Sequence, residues 1–482
     1  MPQSLLGRLF EVDVGAVAHG GHCVARLGDE HGRVVFVRHA LPGERVRVRI
    51  TDDTGKAYCR GDAVEILAAS PARVVPPCPY AGPGRCGGCD WQHAAPAYQR
   101  ALKGDVVTEQ LQRLGGLSWP VTVEEVAGGA LGWRTRIQYA VDADGAVGLR
   151  RHRSHSVQPI ARCLIGAPGV GDAPELDRRW PGASGIDVAI GDEHQRAVAV
   201  SRPVALPVRR PGPHSRRRDG RAADRRATQR ARTESATAEG RSYQPGTDEG
   251  GQNGPSGPRA GRTRERSERV AGPPSLTHFV DGHRFDVTAS GFWQVHPAAA
   301  QTLTSAVRAF AGLRPGDSCL DLYAGAGLFS AALADAVGNT GRVVALESDA
   351  TAIADAAGNL AEWTWAEVRR EPVSAAAVQA AGPVDVVVLD PPRSGAGREV
   401  LTAVINSGAR AVVYVACDPA ALARDVRTAA ENGWRLTGLR AFDLFPMTQH
   451  IECVALLEPV AGPPHELVTE ADGSASDADG VR

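Results

Sequence analysis

The sequence predicts a small N-terminal β-barrel, a short α+β region built around cysteines, and a C-terminal Rossmann-like α/β domain with a doubly wound, mostly parallel sheet. Three observations carry that expectation. Before residue 68 short apolar segments recur every roughly eight to twelve residues with Gly or Asp at the breaks. Residues 76–93 form a Gly/Pro loop with three cysteines. From residue 276 to 460 continuous apolar strands alternate with helical segments, the pattern of a sheet covered on both faces.

Taken in order, GRLFEVDVGAVAHG, HCVARL, GRVVFVRHALPG, ERVRVRI and AYCRGDAVEIL read as the barrel strands of residues 1–68. Residues 69–200 hold the cysteine loop and then APAYQRALKGDVVTEQLQRLGG, whose Leu102, Val106, Leu111 and Leu114 share one helical face and whose Gly115–Gly116 ends it. WRTRIQYAVDADGAVGLRR follows as strand, turn and strand, leading to Cys163. Residues 201–275 read as a disordered Arg-rich insertion. Over 202–270 they carry 17 Arg against 8 Asp or Glu and almost no large apolar residue, too little burial to offset ordering entropy. Residues 276–462 supply SCLDLYA, RVVALESD, AEVRREPV, VDVVVLDPP and ARAVVYVACDP, each followed by a helix or turn, and a closing pair, RLTGLRAFDLF and HIECVALLEPV. Residues 463–482 are a short acidic tail.

The 482 residues correspond to about three domains of roughly 150 each. With 43% apolar and 23% charged residues, whole-chain disorder is excluded. The formal charge of −1 hides segregation, since the insertion is +9 and the remainder near −10, so any nucleic-acid surface on the folded part is local. Of 54 basic residues only Lys56 and Lys103 are lysine. No apolar run reaches the roughly 18 residues of a membrane span, and MPQSLLGRLFEVDVG lacks a signal peptide's apolar centre. Nine cysteines without a secretory start imply a reducing cytoplasm, with metal binding or catalysis ahead of disulfides.

Ligands of such sheets bind at the carboxyl ends of the strands. The first strand ends in Asp321-Leu-Tyr323-Ala-Gly325-Ala-Gly327, where the glycines let a ligand approach the backbone, and Glu347 ends the second strand within reach of a ribose diol. Ser330 stands where the dinucleotide fingerprint has its third Gly and an Asp leads the turn, which favours S-adenosylmethionine over NAD. Asp390-Pro-Pro-Arg393 stiffens the fourth strand end, with neither the aromatic of amino-methylating enzymes nor the Cys of cytosine-5 enzymes after the prolines. Cys417 ends the fifth strand before Asp-Pro, an exposed turn that argues for a nucleophile against an inert buried thiol. Glu452 precedes an apolar run, an odd site for a carboxylate that does no chemistry. Cys78-x7-Cys86-x2-Cys89 with Cys163 offers four thiolates for zinc or an iron–sulfur cluster, and spacing does not choose between them.

FWQVHP at 292–297, LDLYAGAGLF, LDPPRSGAG, YVACDPAALARD and FDLFPMTQHIE together resemble the RNA uracil-5-methyltransferase family of the iron–sulfur type with an N-terminal TRAM domain. CPYAGPGRCGGCDWQH is similar to that family's cluster loop and residues 5–68 to its OB-like TRAM barrel. The resemblance implies a class I methyltransferase domain in which Cys417 is the nucleophile and Glu452 the base. Gln294, Tyr323, Gly325, Gly327, Glu347 and Asp390 would contact S-adenosylmethionine, and Cys78, Cys86, Cys89 and Cys163 would hold a [4Fe–4S] cluster, with zinc as the alternative. The chain departs from the family in the seven residues between Cys78 and Cys86, where five is commoner, in His296 where Asn is common, and in the insertion.

The expected activity is methyl transfer to C5 of an RNA uridine through a Cys–C6 adduct, in ribosomal RNA ahead of tRNA because a cluster and a TRAM barrel together resemble ribosomal-RNA-directed members. The partners expected are RNA, no membrane and no obligatory protein. Two other classes compete: a catalytically silent RNA-binding protein of the same fold, and a cluster-based redox enzyme using NAD.

Overall fold

The computed structural model describes residues 4–28, 31–53, 55, 57–205 and 263–460. The acidic tail and most of the Arg-rich insertion lie outside the described residues. No helix among the described residues is long and apolar enough to cross a membrane.

The N-terminal strands are β1 (Leu9–Asp13), β2 (Val17–Ala18), β3 (His22–Arg26), β4 (Val34–Arg38), β5 (Arg45–Asp52) and β6 (Tyr58–Ala68), ordered β1-β5-β6-β4-β3-β2. Period-2 alternation sends Val46, Val48 and Ile50 inward, while outward Arg45 and Arg47 pair with Glu11 and Glu65. The expected closed barrel is not found: no strand pair joins the β1 and β2 edges among the described residues. Between β1 and β2 the chain swings from β5 to β3: Val14 N–H donates to Glu44 O, while Gly15 N–H reaches Val24 O and Val24 N–H reaches Ala16 O.

Helix α1 (Pro96–Gln110) starts with Pro in its first turn, ends in a π-helical turn, Leu111–Gly115, and stops at Gly116, whose φ is 68°. It belongs to two cores. Leu102 and Val106 pack with Trp91 and the N-terminal sheet, whereas Val107 and Leu111 pack against the C-terminal domain. The short β7 (Val123–Glu124) then adds to the edge of the C-terminal sheet.

The central sheet is antiparallel throughout, β10 (Val157–Pro159), β9 (Val147–Arg150), β8 (Arg136–Val141), β11 (Gly185–Ile190), β12 (Arg196–Ala205) and β13 (Thr263–Ala271) in that order. Ordered strand thus extends into both flanks of the predicted insertion: Ser201–Ala205 pairs with Thr263–Ser267 at the sheet edge. Thr263–Ser267 contains no apolar residue, so nothing in its pattern marks a strand; the ladder of backbone hydrogen bonds to β12 orders it instead.

A hairpin, β14 (Ser275–Val280) and β15 (His283–Thr288), leads to α2 (Ala299–Ala311). The remaining elements alternate: β16 (Ser318–Leu322), α3 (Leu328–Val337), β17 (Arg342–Glu347), α4 (Ala350–Asn359), β18 (Ala366–Arg370), α5 (Ala375–Ala380), β19 (Val386–Leu389), α6 (Arg398–Ile405), β20 (Ala411–Ala416), α7 (Pro419–Glu431), β21 (Trp434–Phe442) and β22 (Glu452–Pro459). The sheet order β18-β17-β16-β19-β20-β22-β21-β7 reverses between β16 and β19. All its neighbours run parallel except β22, antiparallel to both β20 and β21. Leu320, Leu346, Leu389 and Val412 pack under α5, α6, α7 and α1, and Val343, Val388 and Val413 pack under α2 and α3. Each such side chain contributes about 1.5–3 kcal/mol of burial.

Lys103 of α1 is wholly buried and donates to Asp443 Oδ1 at 2.6 Å and to Phe445 O at 3.0 Å, tying the helix to the loop between β21 and β22. Losing one partner strands a buried charge. Lys103→Met or Asp443→Leu alone should therefore lower the unfolding free energy by about 3–5 kcal/mol, and the double variant should recover most of it. Urea titrations of the three variants check this; single losses under about 1 kcal/mol would mean the pair behaves as a solvated one.

Candidate active site

The carboxyl ends of β19 and β20 and the start of the antiparallel β22 converge on one edge of the C-terminal sheet. Cys417 follows β20 and Glu452 opens β22; Ala416 pairs with Cys453, so Cys417 and Glu452 are the next facing positions of that ladder. Asp390 follows β19, the strand on the other side of β20. Arg393 lies one turn further, exposed, in the Pro391–Pro392 loop.

The four groups act on one another. Burial pushes the Cys417 thiol up to about 12, with Glu452 and Asp390 adding to the rise and Arg393 opposing it. Burial raises Glu452 well above the carboxylate range, and Asp390 beside it raises it further against Arg393. Asp390 is itself raised, by burial and then by Asp321. Burial thus favours the protonated form of both Glu452 and Asp390. His450 is kept neutral: burial lowers it to about 3, and Arg393 and Lys103 reinforce that.

The loop carrying Arg393 is fixed by Asp425 of α7. Its Oδ2 accepts from Tyr414 Oη at 2.6 Å and from Ala396 N–H at 2.8 Å. Gly395, with φ of 88°, lets that carboxylate come close, since a Cβ there would sit 2.7 Å from Oδ2. Asp418, the residue after Cys417, caps α7 by accepting from Ala421 N–H at 2.8 Å. The loop leading to Glu452 is held by the cysteine segment and α1: Asp90 and Trp91 N–H both donate to Met447 O at 3.0 Å, and Gln99 Oε1 accepts from Met447 N–H at 2.8 Å.

The turn after β16 is built as its glycines suggest. Tyr323, Gly325 and Gly327 have φ of 65°, 55° and 90°, and a Cβ added to Gly325 would meet only open space. Glu347 braces this turn, accepting from Gly325 N–H at 3.1 Å and from Ser348 and Asp349 N–H at 2.6 and 2.7 Å. Asp321 is fully buried, raised to about 7 by burial, bonded through Oδ2 to Ser330, and its Oδ1 has no partner. Gln294 lines a cleft with Arg136, His278 and Trp293 between the central sheet and the β14–β15 hairpin. His296 stacks on Trp133, ring centres 5.9 Å apart.

The cysteine loop lies against the end of β9, with Gly87 N–H donating to Arg150 O at 3.0 Å. Cys78, Cys86, Cys89 and Cys163 are all free thiols. Cys163 acts electrostatically on both Cys86 and Cys89, and Cys78 acts on Cys86. Cys86 Sγ accepts from Gly88 N–H at 3.4 Å, and the backbone N–H groups of Gly166 and Ile165 oppose the rise that burial imposes on the Cys163 thiol. Yet among the described residues no group of three or more His, Cys, Asp or Glu side chains is arranged to hold a metal ion. The four-thiolate site expected from the spacing is thus a neighbourhood here, not a formed ligand set.

Sequence reasoning left Asp425, Asp418, Asp90, Gln99 and Lys103 out of the site. Only Lys103 carried a signal, as one of two lysines in a chain that otherwise uses arginine.

The chain is similar to known proteins over nearly its whole length. Residues 3–64 match the TRAM domain family, and residues 380–460, which include Cys417 and Glu452, match the tRNA (uracil-5-)-methyltransferase family. An RNA methyltransferase of Streptomyces avermitilis is 46% identical over 476 residues, covering 95% of this chain and 99% of its own. An RNA methyltransferase of Corynebacterium diphtheriae is 34% identical, covering 94% and 97%. The crystal structure of Pyrococcus abyssi tRNA (uracil-54, C5)-methyltransferase in complex with S-adenosyl-L-homocysteine shares the fold at 20% identity, with a TM-score of 0.62 over 92% of this chain and 99% of that one.

The electrostatics fix how Cys417 should react. With the thiol near 12, its thiolate fraction rises about tenfold per pH unit from about pH 7 to 9, and iodoacetamide alkylation of Cys417 should follow without levelling. Arg393→Ala removes the one charge favouring thiolate and should slow alkylation at every pH. Mass spectrometry of the Cys417 peptide checks both; a plateau below about pH 8 would contradict the assigned environment.

Proposed function

The chain belongs to the RNA uracil-5-methyltransferase family, whose members depend on S-adenosylmethionine, and from that premise we propose that it methylates C5 of an RNA uridine through a covalent bond between Cys417 and C6. The observation that carries this reading is the facing pair at the end of the β20–β22 ladder, a thiol and a carboxyl group on one buried strand edge. Uracil needs both groups and no more.

Uracil C5 is too weak a nucleophile to take a methyl group unaided. Addition of the Cys417 thiolate to C6 turns C5 into an enolate-like carbon. S-adenosylmethionine supplies the electrophilic methyl group. The Glu452 carboxylate then takes the C5 proton, the electron pair restores the C5–C6 double bond, and the C6–S bond breaks to return the thiolate. Both groups are held protonated by their surroundings, which keeps the thiol inert. Arg393 acts in the direction that ionises them, and the sulfonium charge of S-adenosylmethionine would act in the same direction when bound. The target base must leave its stack at a cost of a few kcal/mol, which favours loops and unpaired uridines.

Tyr323, Gly325, Gly327, Glu347 and Asp390, with Gln294, are our proposed contacts to S-adenosylmethionine. The open space above Gly325 and the partnerless Asp321 Oδ1 suit a ligand that carries hydrogen-bond donors. Cys78, Cys86, Cys89 and Cys163 are proposed to hold a [4Fe–4S] cluster, or zinc, on their spacing, their mutual field and the N–H groups aimed at Cys86 and Cys163. No step of the reaction is assigned to it. The TRAM domain, residues 1–68, and the cysteine region, 69–200, are proposed to grip RNA flanking the target. Their combination favours ribosomal RNA, whereas the description of the matched family favours tRNA.

Incubation with S-adenosylmethionine and RNA containing 5-fluorouridine should yield a covalent complex that survives a denaturing gel, because fluorine at C5 cannot leave as a proton. Cys417→Ala should abolish it, and Glu452→Gln should accumulate the same complex on ordinary uridine RNA. Sequencing the trapped RNA names the substrate. No complex with ribosomal or transfer RNA would turn the reading toward an RNA-binding protein without activity.

A further inference from the structure

The turn between β2 and β3 of the TRAM domain, His19-Gly20-Gly21, is wedged between the two arms of the active site. On one side His19 Nε2 lies 3.3 Å from Asp418 Oδ2. Asp418 spends its other oxygen on the first turn of α7 and directly follows Cys417. On the other side Gly21 packs on Gln449, so closely that an added Cβ would sit 2.7 Å from the Gln449 Cβ and 3.5 Å from the Asp90 Cβ. Gln449 opens the segment that runs through His450 to Glu452; its N–H donates to Asp90 Oδ2 at 3.1 Å and its side chain meets His450 Nδ1 at 3.2 Å.

The turn itself is rigid. Gly21 N–H closes onto Ala18 O at 3.2 Å, His22 Nδ1 bonds Gly20 O at 2.9 Å, and Gly21 O accepts from Trp91 Nε1, a buried ring, at 3.1 Å. Gly20 and Gly21 have φ of 93° and 77°, values that leave Gly21 free of the Cβ that would push the two arms apart.

We propose that the His19–Gly21 turn is a positioning element of the methyl-transfer site, spacing the strand end that carries Cys417 from the loop that delivers Glu452. This deepens the reading above and rests on its assignment of Cys417 and Glu452. The thiolate must reach C6 while the carboxylate reaches the proton on C5, so the distance between the two arms is part of the chemistry. The TRAM domain then contributes to turnover as well as to RNA capture. His19 touches neither reacting group and acts through Asp418.

Three variants of the full chain, His19→Ala, His19→Gln and Gly21→Ala, test this with unmodified ribosomal and transfer RNA transcripts. Methyl transfer from labelled S-adenosylmethionine gives kcat and KM, filter binding gives RNA affinity, and thermal unfolding scores loss of fold separately. For His19→Ala and Gly21→Ala we expect kcat to fall roughly ten- to a hundredfold while RNA affinity stays within about twofold. His19→Gln, which keeps a donor for Asp418, should recover part of the loss. Weakened RNA binding with unchanged kcat would make the turn an RNA contact and overturn the proposal, as would variants that match the parent in both. If His19→Ala does not fold, the other two carry the test. Cys417→Ala is run alongside: activity retained there would sink the underlying site assignment, whatever the turn variants do.

Discussion

A lysine and an aspartate that meet away from water hold this protein's parts in one arrangement. Lys103 and Asp443 lie 340 residues apart in sequence, and removing either leaves the other buried without its charge partner. Their contact fixes α1 against the loop after β21. Through α1 it also fixes the N-terminal sheet, because that helix gives Leu102 and Val106 to one core and Val107 and Leu111 to another. The loop so pinned is the one that leads to Glu452. An apolar pair could fill the same space, but it would not specify which turn of the helix meets which residue of the loop.

From that anchor the active site is assembled by backbone groups as much as by side chains. Met447 O takes two N–H groups from Asp90 and Trp91, the residues that follow Cys89. The cysteine loop and the base loop are therefore neighbours in a mechanical sense, whatever the thiols hold. Asp425 does the same for the Asp390–Gly395 loop from the opposite side. Asp390, Cys417 and Glu452 each adjoin strand residues that are buried without a break, Val386–Leu389, Ala411–Ala416 and Cys453–Ala455, so the scaffold is stiff where the proposed chemistry needs a fixed geometry.

The α/β domain was legible because its strands are continuous apolar runs and its polar residues cluster where those runs stop. Cys417, Glu452, Asp390 and the Gly325–Gly327 turn could be read for that reason. What holds them was not legible. Asp425 looks like any helix-surface acid in PAALARD, and only the fold brings it under the Gly395 turn. His19 sits in a glycine turn of a different domain. The barrel's closure was not legible, because spacing of strands says nothing about how their outermost edges meet. The insertion was drawn too wide because β13 pairs through its backbone while its side chains face solvent. Lys103 was the exception, a lysine retained where arginine is the rule, at a place where a compact ammonium fits between a carboxylate and a carbonyl.

The pairing of Ala205 with Thr263 has a consequence for how this chain accommodates change. The chain leaves the central sheet and returns to it at a single rung of one ladder, so residues 206–262 are added at a point where entry and exit coincide. For a flexible stretch attached this way, doubling its length costs only about 0.6 kcal/mol of closure entropy. That rung lies outside the Lys103–Asp443 ion pair, the strand ends and α1. The edge of the central sheet is thus a socket, a position where cargo of almost any size can be spliced into the protein while its catalytic frame registers nothing.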